Sequence, residues 1–317
     1  MHPCQNLLVL MGVINMKAMK KIFSYTLILA MIGLASCFSF FPCVEGSGDV
    51  LEETRDVSGF YGISNTTSFD VYVTQSDSFS VMVRAEESLL PFIETDRSGG
   101  ALVVRTSDYT CIRTNKPVEV FVTLPEIEEL SLTGSGLVVC NRVESSDLEL
   151  SISGSGRMYV DTIRGTDLFI KHSSSGSMEM KDIEAAYAEL KLSGSGEIDF
   201  GEMYTGEVIM GHSSSGTIRG AIYDVLNTDI TLSGSGRVIL EGDTDKLETS
   251  HSSSGRLDAL DLFAFDVRAH SSGSGNTYVN VEGLLDVTIL GSGSIIYRGD
   301  PEEIRSTISG SGTLRAY

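Results

Sequence analysis

Apolar and polar residues alternate along most of this chain in short runs, and serine- and glycine-rich tetrapeptides interrupt the runs. In "LKLSGSGEIDF", for example, Leu190 and Leu192 precede the interruption and Ile198 and Phe200 follow it. A period of two is typical of a strand that buries one face. The pattern therefore predicts short strands separated by tight corners.

The tetrapeptides recur at a nearly constant spacing of 18 to 20 residues. Their last glycines are Gly136, Gly156, Gly176, Gly196, Gly216, Gly236, Gly255, Gly275, Gly293 and Gly312. Apolar residues keep fixed offsets from these glycines, at four and six places before and at two, four and seven places after. One buried face therefore recurs in every repeat.

The length and composition of the repeat select one architecture. A helical solenoid would space its apolar residues by three and four and would avoid so much glycine. A propeller blade needs about twice this length. The sequence therefore predicts an all-β fold, a parallel, right-handed β-helix of about ten coils. Stacked at the usual strand spacing, these coils would make a rod very roughly 45 to 50 Å long.

The corner glycines are predicted to be structural. Continued alternation would turn the glycines inward and the serines outward, where stacked hydroxyls could form ladders. A sharp corner leaves little room inside, and glycine is expected to supply both that room and an unusual φ/ψ. The predicted corner residues are Gly134, Gly136, Gly154, Gly156, Gly194, Gly196, Gly234 and Gly236.

Histidines replace the apolar residue before the corner in some repeats. His172, His212 and His251 take this position, and His270 lies one residue early. A shared metal ion is excluded, because histidines two coils apart would be separated by about 9 to 10 Å, whereas ligand bonds are close to 2 Å. We expect half-buried imidazoles that bond to the serine or backbone of the next coil.

The N-terminus has the pattern of an export signal. Three lysines precede an apolar run that ends at Leu34-Ala35-Ser36-Cys37, and this ending is similar to a bacterial lipobox. Cys37 is therefore predicted to be lipidated, with residues 1–37 forming the signal segment and an upstream extension. An ordinary signal peptide and an uncleaved membrane span are the alternatives.

The segment before the repeats is also rich in strands. "SFDVYVTQ", "SFSVMVRA", "GALVVRTS" and "VEVFVTLP" alternate well and are rich in valine and aromatic residues. We predict a tether over residues 38–50, an N-terminal β cap or start of the β-helix over residues 51–130, and the repeats over residues 131–317. A cap is expected because an uncovered first coil invites aggregation.

These segments together resemble one known family. "RDVSGFYGISNTTSFDVYVTQSDSFSVMVRA", "GALVVRTS", "VEVFVTLPEIEELSLTGSG" and the following SGSG coils are similar to the auto-transporter adhesin head domain, or GIN domain, of Bacteroides-type bacteria. The most specific passage runs from Thr123 to Gly136, with Ile127 where the family pattern has leucine. The resemblance implies a β-helical protein at the cell surface, at the outer membrane or in the periplasm. It carries over no active site, and the adhesin label is itself an analogy.

Charge narrows the possible partners. A net charge of −20 argues against nucleic acid, because binding phosphates requires a basic patch. We expect a glycan or a surface protein as partner, a membrane contact through the lipid anchor, and no metal or other cofactor. Glu179 and Asp199 are the only carboxylate pair that the repeat brings together, and a solvated face explains them. An enzyme is therefore not predicted; a polysaccharide-active enzyme and a purely structural envelope protein are the alternatives.

Two further expectations concern cysteines and assembly. Cys140 occupies an inward position and is expected to be a buried free thiol, while a bridge between Cys43 and Cys111 is left open. No polar capping segment follows Gly312, so the C-terminal edge of the β-helix is a candidate surface for a homo-oligomer, although the charges near it could keep it monomeric.

Overall fold

The computed structural model describes residues 43–107 and 110–317. The regular structure of these residues consists of strands and one 3₁₀ turn at Leu90–Phe92, joined by short turns and corners. The strands are β1 (Val44–Glu45), β2 (Val50–Arg55), β3 (Gly62–Asn65), β4 (Asp70–Gln75), β5 (Ser80–Glu86), β6 (Ile93–Ser98), β7 (Ala101–Thr106), β8 (Ile112–Arg113), β9 (Glu119–Leu124), β10 (Glu129–Leu132), β11 (Leu137–Ile152), β12 (Arg157–His172), β13 (Ser177–Leu192), β14 (Glu197–His212), β15 (Thr217–Leu232), β16 (Arg237–His251), β17 (Arg256–Ser271), β18 (Asn276–Val281), β19 (Leu284–Ile289), β20 (Ser294–Arg298), β21 (Glu303–Ile308) and β22 (Thr313–Ala316).

The predicted parallel β-solenoid is confirmed. Each strand from β11 to β16 pairs in parallel with the strand of the next coil. Between β11 and β14, residues 20 apart stand side by side, as Leu137 does with Arg157 and Met158 with Met178. The expected ten coils were one too many. The ten corner tetrapeptides from Gly136 to Gly312 bound nine coils, because each coil lies between two corners.

Each coil is more continuous than the expected two or three short strands. In β11 to β17 a single strand of 15 or 16 residues follows the coil from one corner to the next. Between β11 and β14 the pairing with the neighbouring coil continues in register around the bends, whereas register shifts occur at the bends from β14 to β18. The final coils are divided into two shorter strands each, β18 with β19 and β20 with β21.

The core consists of columns of apolar side chains that run along the solenoid. The columns predicted from the sequence are buried, as Val138, Met158 and Met178 show for the position two after the glycine. One further column, twelve residues after the glycine, was not predicted. Its first members are Leu148, Leu168, Ala188 and Val208.

The N-terminal strands begin the same stack and then cover it. β3 and β4 pair in parallel with β10 and β11, and also with β7 and β9 on their other side. β5 and β6 then pair antiparallel with β9 and β7, and β2 pairs antiparallel with β5. The change of direction ends the parallel stacking, so the solenoid is covered at this end. The described part of the predicted tether contains β1, which pairs with β8.

The cysteines of the described residues are of two kinds. Cys43 and Cys111 are both disulfide-bonded, and the pairing of Val44 with Ile112 places them beside each other in adjacent strands. Cys140 is a buried free thiol. Burial raises its pKa to about 11, so it remains protonated and unreactive at neutral pH.

The last described coil is the least covered. All six residues of β21 are exposed, although Ile304 and Ile308 continue the inward columns of Leu285 and Ile289. Self-association through this edge therefore stays a prediction.

Candidate functional site

The corner glycines lie where neighbouring coils come closest. The second glycine of each predicted corner is buried, and the serines around it are exposed. A Cβ on Gly196 would overlap both the carbonyl oxygen of Gly176 and the ring of His172. Glycine is therefore required here for space. The predicted unusual φ is wrong, because no corner glycine is among the described residues with positive φ.

The serines line a shallow groove along the corner wall. The groove has a volume of about 460 Å³, and serines of successive coils, Ser155, Ser175, Ser195 and Ser215, line it. Further along the wall, the hydroxyls of Ser235 and Ser254 lie 3.2 Å apart, which is one contact of the kind predicted for a serine ladder. The hydroxyls of Ser174 and Ser253 instead donate to the carbonyl oxygens of Gly154 and Gly234. The groove carries few charged groups, so it has little to select one partner over another.

The predicted carboxylate pair belongs to a charged outer face. Glu179 and Asp199 are neighbours in adjacent strands. Asp199 lies 3.6 Å from a guanidinium nitrogen of Arg219, whose other terminal nitrogen is 3.7 Å from Glu197. The ion pairs account for this face, and nothing here sets apart a general acid from a general base. Within residues 43–107 and 110–317, no group of three or more His, Cys, Asp and Glu side chains could hold a metal ion.

The histidines are more deeply buried than predicted. His172, His212 and His251 are no more than 2% exposed, instead of half-buried, because they point into the core beneath the corner of the next coil. Nε2 of His212 lies 2.9 Å from the carbonyl oxygen of Gly216, in its own coil. Nδ1 of His251 lies 3.2 Å from the hydroxyl of Thr277, in the next coil.

Each of these imidazoles also keeps one buried ring nitrogen without a hydrogen-bond partner in the described structure. Burial lowers the pKa of all three. His270 instead pairs with Ser250 on the outer face, and Ser271 takes the inward position.

A bend on the opposite side of each coil is irregular in the middle of the solenoid. In β15, Tyr223 and Asp224 together oppose the single residue Asp243 of β16, which makes a β-bulge. Asp224 has a φ of 59°, the only positive φ of a non-glycine residue in the described chain, and its N–H donates to the carboxylate of Asp243 over 3.2 Å. Bulges and such backbone strain concentrate at functional sites.

Large apolar side chains collect at the same bend, and all of them are exposed except Tyr223, which is half-buried. We call this set the aromatic rim, and it consists of Tyr204, Tyr223, Leu226, Phe263 and Phe265. Tyr204 and Tyr223 stack with ring centroids 5.4 Å apart. Leu226 is 58% exposed and Phe265 50%. Neighbouring large apolar groups on an otherwise polar surface are typical of an interaction site.

Unpaired carboxylates lie between these apolar groups. Glu202, Asp224, Asp243 and Asp245 belong to the same bend, and none of them has a Lys or Arg nitrogen within 4 Å in the described part of the chain. Most other outward acids of the solenoid are paired, as Asp182 is with Arg164. The charge of Glu202 raises the pKa of Tyr204.

The aromatic rim was not predicted from the sequence. The prediction from the sequence used the apolar and glycine positions that recur in every coil. The rim consists of residues that do not follow this repeating pattern. The available signal was the spacing of the aromatic residues, since Tyr204 and Tyr223 are 19 residues apart within a 20-residue repeat. The spacing is 19 because β15 has one residue fewer than β14 just before Tyr223. One extra residue after Tyr223 restores the 20-residue register.

The fold is a parallel β-solenoid whose coils are joined by short connections. Comparison with known proteins identifies the family to which it belongs. The model of the family described as "putative auto-transporter adhesin, head GIN domain" matches residues 59–221 and 213–301. The chain therefore belongs to the GIN-domain family, as its resemblance suggested.

Solved structures support the same fold. A "putative adhesin" from Parabacteroides distasonis is similar with 18% identity and a TM-score of 0.55. A "putative lipid binding protein" from the same species has 22% identity and a TM-score of 0.51. Each similarity covers 87% of this chain and all of the other. A comparison with curated proteins finds no match.

The names in this family describe adhesins and binding proteins, not enzymes. They suggest a protein that is exported or at the surface. Across the described residues, none of the helical structure has the length and hydropathy to cross a membrane. Cys37 and the rest of the signal segment lie outside those residues.

Proposed function

We propose that this chain is an exported, lipid-anchored envelope protein that binds a glycan or protein partner through the aromatic rim. The observation that carries the proposal is that the exposed aromatic side chains coincide with the irregular coils. At this bend the chain exposes apolar side chains to water and holds a non-glycine residue at positive φ. Such a cost is tolerated where the surface has a use.

The rim favours binding over catalysis. Hydrolysis of a polysaccharide needs two carboxylates placed on either side of the scissile bond. The carboxylates near the rim are spread along the bend, and Asp243 is held by the backbone N–H of Asp224. A polysaccharide-active enzyme is therefore the second hypothesis, and a purely structural envelope protein is the third.

Array binding tests the rim. We expect the purified chain to bind some members of a glycan and surface-protein array without releasing any product. The variant Tyr204→Ser with Phe265→Ser should lose at least about tenfold in affinity, the scale of a central aromatic contact. The matched control is Phe169→Ser with Tyr187→Ser, an aromatic pair on another column. Undiminished binding by the rim variant would contradict the proposal, and product release would favour the enzyme.

Lipidation of Cys37 is tested in the native host. A chain with Cys37→Ser should lose incorporation of labelled palmitate and move from the membrane to the soluble fraction, because the thiol that carries the lipid is gone. The control is Cys140→Ser, which removes a buried thiol. Membrane retention of the Cys37 variant would contradict the lipid anchor and favour an uncleaved span.

A further inference from the structure

We propose that the partner seated on the aromatic rim is a basic one, an extended protein segment that inserts lysine or arginine side chains between the rim's rings and carboxylates. This inference rests on the proposed function and adds the chemical class of the partner. Clusters of aromatic rings and carboxylates elsewhere on the solenoid support this inference.

Aromatic rings and carboxylates meet at several other places on the outer faces, and there the chain supplies its own cation. Lys181 lies 5.0 Å from the ring centroid of Tyr159 and 3.0 Å from the carboxylate of Asp161. A cation above an aromatic face is attracted by the ring's quadrupole, and the carboxylate adds charge.

Two more groups follow the same plan. Arg256 lies 4.2 Å from the ring centroid of Tyr278 and bonds to Asp258 over 2.7 Å. Near the N-terminal cap, Arg84 lies 5.2 Å from the ring centroid of Phe121 and bonds to Glu119. In each case a ring, a carboxylate and a cation form one unit.

The rim has the rings and the carboxylates of this unit, and among the described residues no Lys or Arg makes a salt bridge or a cation–π contact with them. The register places Asp243 between Tyr223 on one side and Phe263 on the other. Two coil rises separate the backbones of Tyr223 and Phe263 by about 9.6 Å, and rings that project in parallel from their strands would have a similar spacing. A cation midway would lie within about 6 Å of both ring centroids, the range of a cation–π contact, and beside the Asp243 carboxylate.

Charge over the whole molecule favours the same class of partner. The chain carries 43 acidic and 23 basic residues, so its field attracts cations and repels acidic glycans, nucleic acids and anionic membranes. The rim extends over four successive coils, from β14 to β17. That length suits an extended segment with several basic side chains better than one small cation.

Lys246 is a basic residue at the flank of the rim, next to Asp245 in the sequence and paired with Asn227. Its ammonium group makes no salt bridge in the described structure. It would oppose a basic partner, so its removal should strengthen binding.

The test uses the purified full chain and a short peptide of alternating lysine and serine, with its lysine-acetylated form as the matched ligand control. Acetylation removes the charge of the lysine side chain and adds only a small neutral group. We expect the lysine peptide to bind, the acetylated peptide not to bind, and added salt to weaken the interaction.

Variants locate the binding on the rim. Asp243→Asn with Asp245→Asn should weaken it about tenfold, and Tyr223→Leu with Phe263→Leu should weaken it about three- to thirtyfold. Lys246→Gln should tighten it. The controls are Asp147→Asn, an exposed acid without a salt bridge in the described structure, and Phe169→Leu; both should bind like the unchanged chain. Circular dichroism of each variant confirms that the solenoid is intact.

Three results would overturn the basic partner. The first is equal binding of the lysine and acetylated peptides; the second is equal loss in the rim and control variants, which would show a diffuse attraction to the acidic surface. A neutral glycan that binds in a rim-dependent manner, with no binding of the lysine peptide, would also overturn this inference while supporting the proposed function. Loss of rim dependence for every ligand would contradict both.

Discussion

Replacing Gly196 by valine is expected to lower the free energy of unfolding by on the order of 2 to 4 kcal/mol, because the corner has no space for a side chain. A Cβ there meets the backbone of the previous coil, at the oxygen of Gly176, and also the ring of His172. Neither neighbour can move freely, since Gly176 is part of the stacked corner and His172 is buried. Chemical denaturation followed by circular dichroism gives the measurement.

A glycine of the same coil provides the matched control. Gly211 lies in β14 with only the side chain of Lys191 near its Cβ position, at 3.8 Å. Gly196→Ala should destabilise, whereas Gly211→Ala should leave stability unchanged or raise it by up to about 1 kcal/mol, because alanine restricts the unfolded chain. Ser195→Ala, on the exposed side of the corner, should cost less than about 1 kcal/mol. Equal losses at Gly196 and Gly211 would show that corner space is not the cause.

The repeat could be predicted from the sequence because every coil places the same demand on the same positions. Gly156 and Gly196 contact the glycine of the coil before them, so a side chain is excluded at each corner and the glycine period is visible without a structure. The same holds for the inward columns, where a polar residue would be buried unless it found a partner. The column through Leu148 was overlooked because the bend before it breaks the alternation in the sequence.

The aromatic rim could not be predicted in the same way. Whether Tyr223 faces water depends on the register between β14, β15 and β16, and β15 shifts that register by one residue on each side of the bend. A shift of one residue moves a side chain to the other face of a strand. For the histidines, the inward position was predicted, but the depth of burial was underestimated. The glycine of the next coil leaves room for the whole imidazole ring.

The buried histidines are expected to make the solenoid sensitive to mild acid. Burial lowers the pKa of His172, His212 and His251 in the folded protein, whereas in the unfolded chain each titrates near 6.5. As pH falls below about 6.5, the unfolded state binds protons that the folded state does not. Stability is therefore fully present above that pH and is lost as pH falls toward the folded pKa values, with about 1.4 kcal/mol for each pKa unit of depression at each histidine.

Leucine is the natural replacement, because Leu192 and Leu232 fill the same position in neighbouring coils and, like the histidines, lie beneath a corner glycine. The variant His172→Leu, His212→Leu, His251→Leu should keep most of its stability between pH 7.5 and pH 5.5, on either side of about 6.5, while the unchanged chain loses stability. His270→Leu is the control, since His270 lies on the outer face and its removal should leave the pH dependence as it was. The carboxylates are the same in all three proteins, so their contribution cancels in the comparison. An equally steep loss in the triple variant would show that acid acts elsewhere in the solenoid.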